Sequence, residues 1–166
     1  MQMVWNGFKK KGSHPLLLEH FDPERLEAVK MFHGSVPGYD ETPLVQLNDL
    51  ADSIGVGKIY VKDESKRFGL NAFKGLGGIY AVAEYFRNHE GMEFDGFDGL
   101  LSALENRTPV TFATATDGNH GKGLAWAASL FGQQAKVFMP EGSEASRLEA
   151  IRELGAGQKR RSRSSR

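Results

Sequence analysis

The sequence predicts an α/β fold in which a parallel sheet is flanked by helices. Three observations point there. "VTFATA" and "AKVFMP" are apolar, partly β-branched runs of strand length. Each is followed by a run with helical spacing, "KGLAWAASLFG" and "SEASRLEAIRELG". Strand, helix, strand, helix in succession is the pattern of parallel strands joined by right-handed crossovers.

The elements follow in chain order. "DPERLEAVKMFHG" opens on Asp22 as an N-cap, places Pro23 at the first helical position and can end at Gly34. "SVPGYDETPL" is a loop with Pro37-Gly38 as turn chemistry. "LVQLNDLADSIG" reads as a short helix ending at Gly55, and "KIYVKDE" as a strand with Ile59 and Val61 on one face. A loop is expected from Ser65 to Ala72. After Lys74, apolar residues at Leu76, Ile79, Tyr80, Val82, Ala83 and Phe86 form a wide helical stripe. Residues 91–108 hold a loop, a short helix near Leu100 to Glu105, and Phe94 and Phe97 as core residues. "PVTFATA" is expected to be a buried strand that stops at "TDGNHG". The last helix is expected to be capped by Ser143 and closed by Gly155.

Composition narrows the classes of function. The 166 residues suffice for one domain, and 40% of them are hydrophobic. No apolar run is long enough for a transmembrane helix, and "PLLL" is too short for a signal-peptide core. Without cysteine there is no disulfide or thiolate metal site, and the five histidines show no ligand spacing, so no metal site is expected. The expected location is cytoplasmic. The final ten residues, "GQKRRSRSSR", hold five basic residues and no acidic one, which leaves the body of the chain net acidic. A nucleic-acid surface would need basic charge across a folded face, so nucleic acid is not an expected partner.

Two stretches carry chemistry. In "NAFKGLGG", Lys74 sits between Phe73 and a glycine-rich helix start. An amine held in its neutral form can condense with a carbonyl as a Schiff base. Gly75, Gly77 and Gly78 would let a bulky ring approach the backbone. Equally, Lys74 can be an ordinary helix-start residue beside glycines used for close packing. In "ATATDGNHG", a strand runs into a polar turn that starts a helix, a common ligand position in open α/β sheets. There Asn119 can donate an amide hydrogen to an oxygen. Asp117 can act as a base or simply as an N-cap. "VKDESKRFG" could line a mouth, but a solvated loop is the expectation.

The ordered set "TPL" (Thr42 to Leu44), "VKDES" (Val61 to Ser65), "NAFKGLGG" (Asn71 to Gly78) and "TDGNHG" (Thr116 to Gly121) resembles the tryptophan-synthase-β-like group of pyridoxal-phosphate enzymes, fold type II. "RFGLNAFK" and "FATATDGNHG" make it most similar to the diaminopropionate ammonia-lyase family. Threonine dehydratase and cysteine synthase relatives usually carry a small residue at Asp117. The resemblance implies that Lys74 holds pyridoxal 5'-phosphate covalently and moves protons, that Phe73 packs near the ring, and that Asn119 bonds its hydroxyl. Asp117 would be a second base. The implied substrate is 2,3-diaminopropionate as both D and L forms, with pyruvate and ammonia as products, and the full-length family is expected to be homodimeric. A serine or threonine dehydratase-like enzyme is the alternative. A non-catalytic fragment that interacts through its basic tail is a further one.

The resemblance covers roughly residues 15 to 156. Residues 1–73 are assigned to the large cofactor-binding domain, 74–156 to part of the small α/β domain, and 157–166 to a basic disordered tail. That tail has no β-branched residue, so it is not expected to form the next strand of the family's sheet. The family's phosphate-binding glycine loop has no counterpart in the chain, so activity of this chain alone is not expected.

Overall fold

A computed structural model of the chain describes residues 22–116 and 118–160, with 156–160 described as backbone alone. Helix α1 spans Pro23–Ser35. It starts where expected: the Asp22 carboxylate accepts from the Glu24 N–H at 3.1 Å, and Pro23 needs no partner there. It runs past Gly34 to Val36, whose N–H bonds the His33 carbonyl. The next stretch is split: Leu44–Gln46 is a strand, β1, and only Asn48–Ile54 is helical, α2. Gly55 closes α2 at φ 71°, in the left-handed region that glycine enters without steric cost. Strand β2 spans Tyr60–Lys62 and pairs antiparallel with β1, Val45 lying opposite Val61.

Helix α3 spans Lys74–His89, as the stripe predicts, and buries Ile79, Val82, Ala83 and Phe86. Helix α4 spans Gly96–Ala103, about a turn earlier than the sequence reading placed it. The reason is a remote contact. The Phe97 N–H donates to Ser35 Oγ at 2.8 Å, and Ser35 Oγ donates to the Phe32 carbonyl at 2.7 Å. Phe97 and Leu100 thereby join Phe32, Val36, Val82, Phe86 and Phe131 in the main core, with Phe94 packed on its margin.

Strand β3 (Thr111–Ala115), helix α5 (Asn119–Leu130), strand β4 (Gln134–Met139), helix α6 (Ala145–Arg152) and strand β5 (Ala156–Arg160) complete the described chain. β3 and β4 are parallel with Ala113 opposite Lys136, as anticipated. β5 then pairs parallel with β4, Ala156 opposite Ala135. This corrects the expectation that the segment after Ala156 forms no strand. A ladder needs only backbone N–H and C=O groups, which "AGQKR" has in full. Residues 161–166 lie outside the described residues. Ser143 is not the cap of α6: its hydroxyl donates to the Pro140 carbonyl at 2.8 Å, and Glu144 precedes the helix.

The sheet is covered on one face. Ala135, Val137 and Met139 point into a second core with Ala125, Ala128, Leu148 and Ile151 of α5 and α6. The alternate residues Thr111, Ala113, Ala115 and Lys136 are exposed. β3 is therefore an edge strand with one open face, not the buried strand expected. Parallel sheets are normally covered on both faces.

Candidate functional site: the Lys74 helix start and its clamp

Lys74 is the first residue of α3 and is exposed. Its Nζ lies 4.6 Å from the centroid of the neighbouring Phe73 ring, which is itself 55% exposed. The glycines around it settle the choice between ring approach and helix packing. A Cβ built on Gly78 would stand 2.6 Å from the Gly123 carbonyl oxygen, and one on Gly123 would stand 2.6 Å from the Lys74 carbonyl oxygen. A Cβ on Gly75 would meet Leu70, Phe68 and Trp126. Gly78 and Gly123 thus let α3 and α5 touch backbone to backbone, and Gly75 makes room for the Leu70, Phe68 and Trp126 side chains. Only Gly77 faces open space.

That contact fixes Lys74 against the helix that begins with Asn119. Asn119 is exposed and opens α5, and Gly118 before it donates its N–H to Thr116 Oγ1 at 3.3 Å. Asn119 lines a cavity of about 320 Å³ with Gly118, Lys122, Ser146, Arg147 and Ile151. Lys122, one turn on, donates to the Leu70 carbonyl at 3.3 Å and ties α5 to the loop that leads into Lys74. Asp117, the other candidate in this turn, lies outside the described residues. His120 is exposed.

The residues that the sequence reading missed lie just before Lys74. "KDESKRFG" is not a solvated loop. Arg67, at 5% exposure, is buried in a 3-10 turn (Arg67–Gly69). Its guanidinium donates to both carboxylate oxygens of Glu64, at 2.8 and 3.1 Å, to Thr42 Oγ1 at 3.1 Å and to the Asp40 carbonyl. Thr42 donates its hydroxyl to Glu64, and Lys62 donates to the Thr42 carbonyl. The bidentate Arg67 fork holds the Glu64 carboxyl down at about 2, and Thr42 adds to it. "TPL", "VKDES" and "RFG" are therefore one polar clamp. It anchors a loop with two non-glycine residues at positive φ, Phe68 at 51° and Asn71 at 54°. The Phe68 ring is stacked on Trp126 at 4.5 Å. The only signal in the sequence was an arginine three residues after a glutamate.

His33 is a second missed tether. Its Nε2–H donates to the Leu76 carbonyl at 2.9 Å, joining α1 to the first turn of α3. Burial lowers its pKa below the usual histidine value, so the neutral ring is the resting form. Among the described residues no histidine joins a metal-ligating cluster.

The clamp makes a pH prediction. Glu64 is depressed from 4.5 to about 2 in the folded chain. Its contribution is complete above the unfolded value and is lost as pH falls through the folded one. The urea midpoint should therefore drop between about pH 4.5 and pH 2, and Glu64→Gln should flatten that part of the profile. An unchanged slope in Glu64→Gln would assign the acid sensitivity elsewhere.

Residues 36–161 match the family model described as pyridoxal-phosphate dependent enzyme. The chain belongs to that family. The diaminopropionate ammonia-lyase of Escherichia coli (strain K12) is 50% identical over 138 residues, which are 82% of this chain and 34% of the relative. A crystal structure of the Escherichia coli lyase in apo form superposes with a TM-score of 0.82 at 45% identity, over 94% of this chain and 41% of that one. The same lyase in complex with D-serine superposes with a TM-score of 0.79 at 43% identity, over 95% of this chain and 39% of that one. The fold is accordingly a partial fold type II fold, and the chain spans about a third of the length of the curated relatives it matches. The residues fit the family's cofactor at its reactive end. Lys74 presents an exposed primary amine, the group an aldehyde needs, and Asn119 an exposed side-chain amide. Among the described residues no helix is long and apolar enough to cross a membrane.

Proposed function

We propose that this chain carries the lysine-bearing part of a pyridoxal-phosphate-dependent ammonia-lyase acting on 2,3-diaminopropionate. The observation that supports it most is the pairing of two helix starts. Lys74 and Asn119 open α3 and α5, and those helices are locked by glycine contacts beside Lys74 itself. When bound, pyridoxal phosphate supplies an electron sink for the charge left at a substrate Cα. Lys74 would hold the cofactor through its amine and, when its amine is free, would move the proton at the substrate Cα. Asn119 would hold the cofactor by donating its amide to the ring oxygen. Phe73 would pack near the ring. Asp117 would be a second base, which would let both D and L forms react. Proton transfer by a positioned base contributes typically about 10²–10⁴-fold.

The direct test is reduction by borohydride in the presence of pyridoxal phosphate, followed by peptide mass mapping. Label is expected on Lys74, and Lys74→Ala is expected to lose it. Label spread over surface lysines such as Lys30 and Lys58 would refute the assignment. A second expectation concerns Asp117 in a family-length polypeptide carrying this segment. Asp117→Asn should reduce turnover of D-diaminopropionate by about 10²-fold or more and that of the L form less. Equal losses would make Asp117 a general orienting residue.

A further inference from the structure

Helix α3 starts without the usual local supports. Among the described residues no side chain caps it at Phe73, and its first turn holds no acidic residue. Lys74 puts a cation at the end of the helix where the macrodipole disfavours one. Three of its first five residues, Gly75, Gly77 and Gly78, are poor helix formers. The loop that leads in carries Phe68 and Asn71 at positive φ. Local sequence therefore does not fix where the backbone of Lys74 stands, and contacts from elsewhere must do so.

We infer that His33 and Lys122 are positioning residues for Lys74, whose backbone they fix by one side-chain hydrogen bond on either side of it. His33 of α1 donates to the Leu76 carbonyl at 2.9 Å, two residues after Lys74. Lys122 of α5 donates to the Leu70 carbonyl at 3.3 Å, four residues before it. Both bonds are partly buried, so water competes with them less than it would at the surface. The His33 ring is itself held in place. It lies parallel to the Tyr39 ring, with centroids 6.4 Å apart, and 5.8 Å from the Tyr80 ring of α3. The Arg67 guanidinium lies 5.2 Å from the centroid of the same Tyr39 ring, so this tether is continuous with the polar clamp. Lys122 follows Asn119 by one turn of α5, so its bond also sets the span between the two helix starts. The inference rests on the reading of Lys74 as the cofactor lysine and adds the residues that place it.

The test measures amide exchange in the full chain without cofactor, then the rate of borohydride trapping of pyridoxal phosphate on Lys74. His33→Leu keeps bulk and removes the donor, while His33→Gln keeps a side-chain N–H. Lys122→Met and Lys122→Arg form the same kind of pair. In His33→Leu, exchange at Gly77 and Gly78 should quicken about 5-fold, the effect of one net hydrogen bond, while Ala127 and Ala128 of α5 stay unchanged. Trapping on Lys74 should slow by about the same factor in His33→Leu and in Lys122→Met, and His33→Gln and Lys122→Arg should restore it. Unchanged trapping in both donor-less variants would overturn the inference, whatever the exchange shows. Equal acceleration at Ala127 and Ala128 would overturn it too, by making the residues general supports of the fold. Failure of the Gln and Arg variants to restore trapping would assign the effect to packing rather than to the bonds. If the unaltered chain takes no label on Lys74, the cofactor reading fails, and exchange at Gly77 and Gly78 alone decides the tethers.

Discussion

Arg67→Ala is expected to lower the unfolding free energy of the chain by about 3 kcal/mol, read from urea denaturation. Breaking a buried ion pair by removing one partner costs about 3–5 kcal/mol, because the other charge is left without its counter-ion. The low end applies because Glu64 keeps 18% exposure and water can reach part of it. Arg67 has no such relief at 5%, and its loss also leaves the Asp40 carbonyl and Thr42 without a donor. Arg67→Lys should recover little, since an ammonium cannot span both Glu64 oxygens. A loss under about 1 kcal/mol would show that the network behaves like an exposed surface pair.

Gly123→Ala is the second large expected effect, at about 3 kcal/mol, the top of the usual range for overpacking. The added methyl would meet a backbone oxygen of the first turn of α3 at 2.6 Å, and a backbone atom cannot swing aside as a side chain can. The helices must separate, and the separation occurs at the carbonyl of Lys74 itself. Gly78→Ala should behave alike, while Gly77→Ala, which meets nothing within 4 Å, should be neutral or stabilise by up to about 1 kcal/mol as a helix substitution. Comparing the three unfolding midpoints separates a packing effect from a propensity effect. Equal midpoints would mean that the α3–α5 contact is looser than these distances imply.

How much of this was legible in the sequence depended on where each signal resides. Helix α3 and the β3–α5–β4 unit were legible because their apolar spacing is local and long. Lys74 stood out because it opens a glycine-rich helix start, and Asn119 because it lies in the polar turn that follows a strand. β1 was not, because "LVQ" is three residues long and gains its pairing only from "YVK" across the α2 excursion. β5 was not, because its pairing is a backbone property that side-chain pattern does not report. The Arg67 clamp escaped for a different reason. Charged residues in a loop are usually solvated, and only the arrival of Thr42 and the Asp40 carbonyl makes burial of a guanidinium tolerable. The glycines could be read two ways, and only the second helix decided between them.

The order of strands in the larger sheet bears on how the chain is made. β3, β4 and β5 lie side by side in the order in which a ribosome delivers them. Each strand can add to the one just completed across a single helical crossover, so the sheet can grow in the order of synthesis, although parallel pairing across such a crossover is slow. Among the described residues, growth proceeds on the β4 and β5 side. The opposite side of β3 has no strand partner among the described residues, so its outward N–H groups stay open while β4 and β5 are added.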